Sequence, residues 1–498
     1  MVYISVILVN PPQRNDIGRA LGIKAPPIGL MYLAAVLREA GEEVEILDAD
    51  LLELSVEDAA KEVCLQQPSI VGVTATTPTI NNALKVVGSV RARNPGVITV
   101  IGGVHPTFMP EETLQSCPAL DLVVIGEGEQ TLLELTRALK GFQWDGRRYS
   151  TAKEFAERVS TVKGIAYRDP SNPNLIRYTP PRPYIDNLDK IPLPARDLVP
   201  FEHYKLLGKE ASIGAIITSR GCPYGCTYCS SSRIGGLKFR ARSVDNVLLE
   251  IQELYHKYHL KHIEIIDDIF TLNQKRAFEF AQKLKNLNLD VEWHASSRVN
   301  TISRDLVRAL FSAGLRTLYY GVESGSQRIL DLMRKKIRLE QVRDAFRITR
   351  EEGVMPFGSF ILGYPTETLD EMKQTIKFAA EINAEYAQFC VLTPYPGTPV
   401  YYELKSKGLL LTEDWDRYTT LEPVIRYEVF GYTAKQVKKM LNYAYQYFYL
   451  RPRYILRHLR LLPTIFGVAL RNYVLPMLGL DSIKVSKHTK MIIHSSSE

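Results

Sequence analysis

Along the first 140 residues the chain alternates between two hydrophobic periods. Short apolar runs at Ile4–Val9, Glu43–Asp48, Ile70–Thr74, Val97–Ile101 and Leu122–Ile125 read as buried strands. Between them, apolar residues recur at helical spacing over Gly29–Glu39, Val56–Gln66, Thr79–Arg93 and Thr131–Leu139. Single helices between strands predict a doubly wound parallel sheet of Rossmann-like form. Such sheets take ligands in the crevice beyond the strand carboxyl ends. Here those ends are Asn10-Pro11-Pro12-Gln13, Thr74–Pro78, Gly102–Pro106 and Gly126–Glu129, and their glycines let a large planar ligand approach the backbone. No G-x-G-x-x-G follows the first strand, so a dinucleotide site fails on detail.

Residues 141–210 lose the pattern and are expected to be a linker. The turn Asp169–Pro173 and prolines 180, 181, 183, 192, 194 and 200 break any long element, with Gly164–Arg168 left as a short hairpin strand. From 211 to 430 the alternation restarts, with strands at Ile213–Ser219, His262–Asp267, Val291–Ser297, Thr317–Val322, Met355–Leu362 and Glu385–Leu392. Residues 431–498 differ again. Lys435–Leu450 reads as an amphipathic, tyrosine-rich helix, Arg451–Arg460 is basic, and Leu461–Leu480 is apolar but holds Pro463, Arg471 and Pro476.

Charge sharpens this division. The net charge is +7, and residues 451–498 contribute +6 of it from eight Lys/Arg and two Asp/Glu. A nearly neutral body argues against a nucleic-acid partner and for one local basic surface. That C-terminal stretch suits peripheral contact with a membrane interface, arginines at the headgroups and apolar side chains below; it equally suits a helix packed over the second domain. The opening Met1–Val9 lacks a basic leader and reads as a first strand, and no stretch is long and apolar enough to span a bilayer. Six cysteines in 498 residues, three of them in one motif, point to a reducing, cytoplasmic setting; Cys64, Cys117 and Cys390 read as small buried residues.

The clustered three are Cys222, Cys226 and Cys229, spaced C-x3-C-x2-C just after the strand at Ile213. Gly221, Pro223 and Gly225 let this loop bend tightly. A cubane iron–sulfur cluster usually takes four cysteines, so three leave one iron open to a small molecule. A zinc site wants a fourth ligand close by, and only His203 lies within twenty residues. A disulfide framework wants a short secreted chain.

With Tyr228 directly before the last cysteine, the loop resembles that of the radical S-adenosylmethionine (SAM) superfamily. The resemblance implies a 4Fe-4S cluster on Cys222, Cys226 and Cys229 in a partial (β/α)6 barrel. It also implies SAM on the open iron, an electron donor of flavodoxin or ferredoxin type, and reductive cleavage of SAM to a 5'-deoxyadenosyl radical. Strand-end residues then fall to SAM. Asp267 and Asp268 suit its ammonium group, with a helix N-cap as the other reading of Asp268; Arg298 suits its carboxylate, and Tyr228, Glu323 and Ser324 complete the set. The helical stretch after 431 becomes a C-terminal extension of that barrel.

The first 140 residues resemble the cobalamin-binding domain fused to many such enzymes, through the Asn10-Pro11-Pro12 opening, the Ile101–Pro106 loop and the Gly126–Glu129 turn. The resemblance implies cobalamin contacts from Asn10, Thr76, Gly102, Gly103, His105 and Glu127. No D-x-H-x-x-G is present, so no histidine is expected below the cobalt. His105 reads either as a contact to the corrin or nucleotide tail or as a loop histidine bonded to backbone. The expected activity is functionalisation of an unactivated carbon of a hydrophobic, isoprenoid-type lipid, by C-methylation or ring formation. The alternatives are a tetrapyrrole ring cyclase or C-methyltransferase, and a cobalamin or iron–sulfur sensor. A tRNA methylthiotransferase would want further cluster cysteines upstream. No side chain is assigned a catalytic role.

Overall fold

Strand β1 (Ser5–Asn10) shows how the first sheet is held. Val6 and Leu8 point into one core while Ile7 and Val9 point into the other. A strand buried on both faces reads as a continuous apolar run, as parallel strands do. The computed structural model describes residues 5–13, 24–142, 149–204 and 213–457. Beside β1 lie β2 (Glu43–Asp48), β3 (Ile70–Thr74), β4 (Ile98–Gly102) and β5 (Leu122–Val124), all parallel. Helices Ile28–Glu39 and Glu129–Ala138 cover one face, and Val56–Leu65 and Ile80–Arg93 the other.

The sheet runs on past residue 140, into the stretch expected to be a linker. Strands β6 (Ile165–Arg168) and β7 (Ile176–Tyr178) add to it antiparallel, giving the order β2-β1-β3-β4-β5-β6-β7. The Gly164–Arg168 strand anticipated there is β6, and Arg168 pins it by donating to the carbonyls of Leu114, Cys117 and Leu120. After β7, residues 179–204 form a strap. Arg196 is fully buried in it, pairs with Glu250, and donates to the Ala215 carbonyl at 2.9 Å. Arg242 takes the other oxygen of Glu250, so this buried carboxylate is not left unpaired.

The second sheet is β8 (Ile213–Ile216), β11 (His262–Ile265), β12 (Glu292–Ser297), β13 (Leu315–Glu323), β14 (Met355–Leu362) and β15 (Tyr386–Val391), with the two-stranded hairpin of β9 (Ser219–Arg220) and β10 (Arg240–Ala241) after β8. Its six strands are parallel and adjacent in chain order, with β8 and β15 as edges: a partial (β/α)6 barrel. Helix Ala434–Tyr449 lies along the β15 edge and buries Val437, Leu441, Ala444 and Phe448. The Tyr449 hydroxyl accepts from the Ala387 amide at 3.2 Å and donates to its carbonyl at 2.8 Å. Tyr445 does the same at Phe389, at 3.3 and 3.0 Å. The anticipated tyrosine-rich helix thus covers a strand edge. The basic–apolar stretch read as membrane-facing lies, from residue 458 on, outside the described residues. No described helix is long and apolar enough to cross a membrane.

Loops from the carboxyl ends of both sheets meet. The His105 ring stands edge-on to Trp415 at 5.0 Å, and the Phe108 ring lies against Gly397.

Candidate functional site

The cysteine loop follows the β9 strand. Gly221 has φ +89°, and a Cβ there would sit 2.3 Å from the Lys238 carbonyl oxygen, so only glycine fits. The Cys222 amide donates to the Gly236 carbonyl at 3.0 Å, and the Cys229 sulfur accepts from the Ser231 amide at 3.4 Å. Burial pushes the Cys222 thiol up to about 11, with Asp268 and the other two thiols adding to it. Cys229 is raised for the same reasons. Protonated, crowded thiols must release protons to a metal that binds them. Among the described residues no group of three His, Cys, Asp or Glu side chains is arranged to hold a single metal ion. Ligands that each hold a different iron need not converge, and a donor set of three thiols fits a cluster with one open iron.

Arg298 and Lys335 frame this loop. The Arg298 guanidinium stacks 3.7 Å over the Tyr224 ring, its Nη1 lies 4.0 Å from the Cys226 sulfur, and it donates to the Lys335 carbonyl. Lys335 pairs with Glu323 at 2.7 Å and donates to the Tyr228 hydroxyl at 3.1 Å. Glu323 ends β13 at φ +71°, a left-handed conformation uncommon for a side chain of this kind. Burial and the Glu323 charge hold the Tyr228 phenol well above its ordinary value. Sequence reasoning missed Lys335, because Arg334-Lys335-Lys336 looks like a solvated basic run.

Two expected SAM residues are placed differently. The Asp267 carboxylate accepts from Thr218 N and Oγ1 at 2.7 and 2.5 Å and from Ser219 N and Oγ at 3.1 and 2.6 Å. It is saturated, buried, and fixes the chain entering the cysteine loop. Its exposed neighbour Asp268 is the carboxylate whose charge reaches the thiols. Ser324 is fully buried, with Oγ 3.1 Å from Thr375 Oγ1, behind the strand end. After β14, the buried Glu367 accepts from the Gly363 and Tyr364 amides at 2.7 and 3.1 Å through one oxygen. Its other oxygen has no protein partner among the described residues, and burial pushes the carboxyl up to about 8.

At the carboxyl ends of the first sheet a cleft of about 200 Å³ opens. Gly102, Gly103 and Glu127 line it, together with Gly72, Gly128 and Arg220. A Cβ at Gly72 would stand 3.0 Å from Leu8, and one at Gly128 3.2 Å from Leu33. Gly103 has φ +110°, and its Cβ would fall 2.5 Å from the Ala75 carbonyl. Side chains here would fill the space, so the glycines keep a slot open to a flat or narrow group, which fits a corrin or its nucleotide tail. The other three expected cobalamin residues do not line it. The Asn10 side chain donates to Asp48 at 2.8 Å, and Thr76 shares a capping box with Thr79. His105 is 1% exposed, with Nδ1 3.2 Å from the Thr77 hydroxyl; burial lowers it to about 4, so the ring is a neutral packing element bonded to a side chain. A larger bowl of about 610 Å³, walled by Glu134, Lys163, Arg182 and Tyr184, opens along the strap; it holds none of the expected residues and none of the thiols.

Residues 14–136 match the B12 binding domain family and residues 216–379 the Radical SAM superfamily. The chain is 41% identical over 458 residues to the uncharacterized methyltransferase PH0819 of Pyrococcus horikoshii, covering 92% of this chain and 95% of that protein. It is 30% identical to the anaerobic magnesium-protoporphyrin IX monomethyl ester cyclase of Rubrivivax gelatinosus, covering 88% and 76%. It is 24% identical to the hopanoid C-3 methylase of Methylococcus capsulatus, covering 76% and 69%. Its fold is similar to that of the radical SAM methyltransferase TsrM from Kitasatospora setae, with a TM-score of 0.65 at 18% identity, covering 82% and 75%. A glycine-floored cleft and a three-thiol loop at facing strand ends, with these matches, make the chain a member of the cobalamin-dependent radical SAM enzymes, a family that works with a 4Fe-4S cluster, SAM and cobalamin.

Proposed function

We propose that this enzyme functionalises an unactivated carbon of a hydrophobic small molecule, by methyl transfer to an isoprenoid-type lipid. The observation that carries the chemistry is the facing of the cleft and the thiol loop across one junction, with Arg220 on both. In this reading residues 1–140 are the cobalamin half and 211–430 the radical SAM core. When bound, the cluster supplies an electron for SAM cleavage and cobalamin a carrier for a methyl group.

The chain's own residues then have distinct tasks. Cys222, Cys226 and Cys229 would hold the cluster, three thiolates for four irons. Asp268 offers a carboxylate to the SAM ammonium group, and the Lys335–Glu323–Tyr228 chain presents fixed polar groups beside it. Arg298, stacked on Tyr224, sets its cation against the Cys226 sulfur. Gly102 and Gly103 admit the corrin or its tail by leaving space. The substrate class is supported by the basic–apolar C-terminal stretch and by the likeness to the hopanoid methylase.

A second reading, a tetrapyrrole cyclase or C-methyltransferase, is favoured by the 30% identity to the protoporphyrin ester cyclase. Anaerobic reconstitution with iron, sulfide, hydroxocobalamin, reductant and methyl-labelled SAM tests both. Label entering an isoprenoid lipid extract supports the first reading. Turnover of magnesium-protoporphyrin monomethyl ester instead supports the second. Failure to form 5'-deoxyadenosine under any condition overturns both.

A further inference from the structure

The turn after β5 and the hairpin of β9 and β10 share one buried ion network. Arg220, the residue before Gly221-Cys222, reaches Glu129 at 2.5 Å with one nitrogen and Glu127 at 3.2 Å with the other. Arg240, its partner across the hairpin, holds Glu127 at 2.9 Å and also donates to the Gly235 carbonyl at 2.8 Å. Gly235 precedes the residue whose carbonyl takes the Cys222 amide. The Ile185 amide of the strap adds a fifth contact, to Glu127 at 2.8 Å. Glu129 and Arg240 are 6% and 4% exposed, so these charges have each other rather than water. Burial alone would raise the Glu127 carboxyl, yet the arginines and the Ile185 amide outweigh it and hold it lowered. Arg220, Glu127 and Glu129 also form a wall of the glycine cleft. A group entering the cleft therefore meets the same side chains that fix the start of the cysteine loop.

We propose that Arg220 is a positioning residue that couples the two cofactor sites, passing occupancy of the cleft through Glu127 and Glu129 to the loop bearing Cys222. The inference rests on the reading that the cleft takes cobalamin and the loop the cluster. Coupling of this kind is reciprocal: each ligand changes the affinity of the other by one shared factor. The full chain, reconstituted with iron and sulfide, is tested by equilibrium dialysis. SAM affinity is measured with and without hydroxocobalamin, and hydroxocobalamin affinity with and without SAM. The wild type is expected to give the same factor both ways, at least ~5-fold.

In R220K, whose ammonium cannot fork between two carboxylates, the factor is expected to fall towards one. E129Q leaves both arginines on Glu127 and should lower the factor part-way; it decides the matter if R220K takes up less iron. R38A removes the exposed Arg38–Asp197 pair, which also joins the first domain to the strap, and should leave the factor unchanged. A wild-type factor of one, or a full factor in both R220K and E129Q, overturns the proposal. So does an effect of R38A equal to theirs. A wild type that binds no iron or no hydroxocobalamin defeats the underlying reading first, and the inference with it.

Discussion

Around the cleft of the first sheet most of the wall is backbone and aliphatic side chain, from Gly72, Gly102, Gly103, Leu8 and Leu33, and the charges that close it, Glu127, Glu129 and Arg220, are paired with one another. Around the thiols of the second sheet the walls are charged or hydrogen-bonding groups: Arg298, Lys335, Glu323, Asp268 and Tyr228. The same strand–helix alternation builds both rims, so the difference lies in what each must hold. A large rigid ring is admitted by removing atoms. A small charged molecule is oriented by fixed donors and acceptors, each of which must itself be paired when empty.

The largest effect is expected at the charged rim. C226A should abolish iron uptake, brown colour and SAM cleavage together, while the protein still takes up hydroxocobalamin; iron analysis and a dialysis assay check this. Loss of both cofactors at once would break the separation between the rims. K335M comes next. It strands the buried Glu323 carboxylate, and removing one partner of a buried pair costs about 3–5 kcal/mol. Denaturant unfolding should show that loss, with weaker SAM binding. G102V tests the other rim. A Cβ there would meet Val124 at an ordinary 3.5 Å, so the fold should tolerate the change. The added methyls fill the cleft, and overpacking of about 1–3 kcal/mol should appear as roughly 5- to 150-fold weaker cobalamin binding with SAM affinity kept.

The smallest effects are slopes against pH, and they oppose each other. His105 is held neutral, so its contribution to stability is present above its ordinary 6.5 and is lost as pH falls towards about 4. Glu367 is held protonated, so its contribution is present below its ordinary 4.5 and is lost as pH rises through about 8. Each changes stability by about 1.4 kcal/mol per pH unit inside its window. Their sum is nearly level from pH 4.5 to 6.5, where the windows overlap, and falls from 6.5 to 8. H105Q should make stability fall across the whole range from 4.5 to 8, and E367Q should leave only the acid-side loss. Thermal melts at stepped pH separate the two.

Most strands were legible because periods of two and 3.6 are local properties of the chain. Helix Val56–Leu65 and strand β14 fall within one residue of the expected spans. The hairpin β9–β10 was not legible, since two residues a side carry no period. Which of Asp267 and Asp268 faces the thiols was equally hidden: neighbours at a strand end point to opposite sides, and adjacency does not say which. Lys335 and Arg220 were missed for another reason. Their partners lie 12, 91 and 93 residues away, and a cation's pairing is decided by tertiary placement. Glycine was the better guide, because a residue without a side chain beside a strand end has few other uses.

The hydroxyls of Tyr445 and Tyr449 stand where a seventh strand's amides and carbonyls would be. An unpaired edge is an invitation to stack with another molecule. Here two phenols occupy it from a helix, so the half-open barrel gains a guarded border without closing into a ring. Replacing both by phenylalanine would keep the packing yet leave bare backbone, and self-association in solution is the consequence to look for.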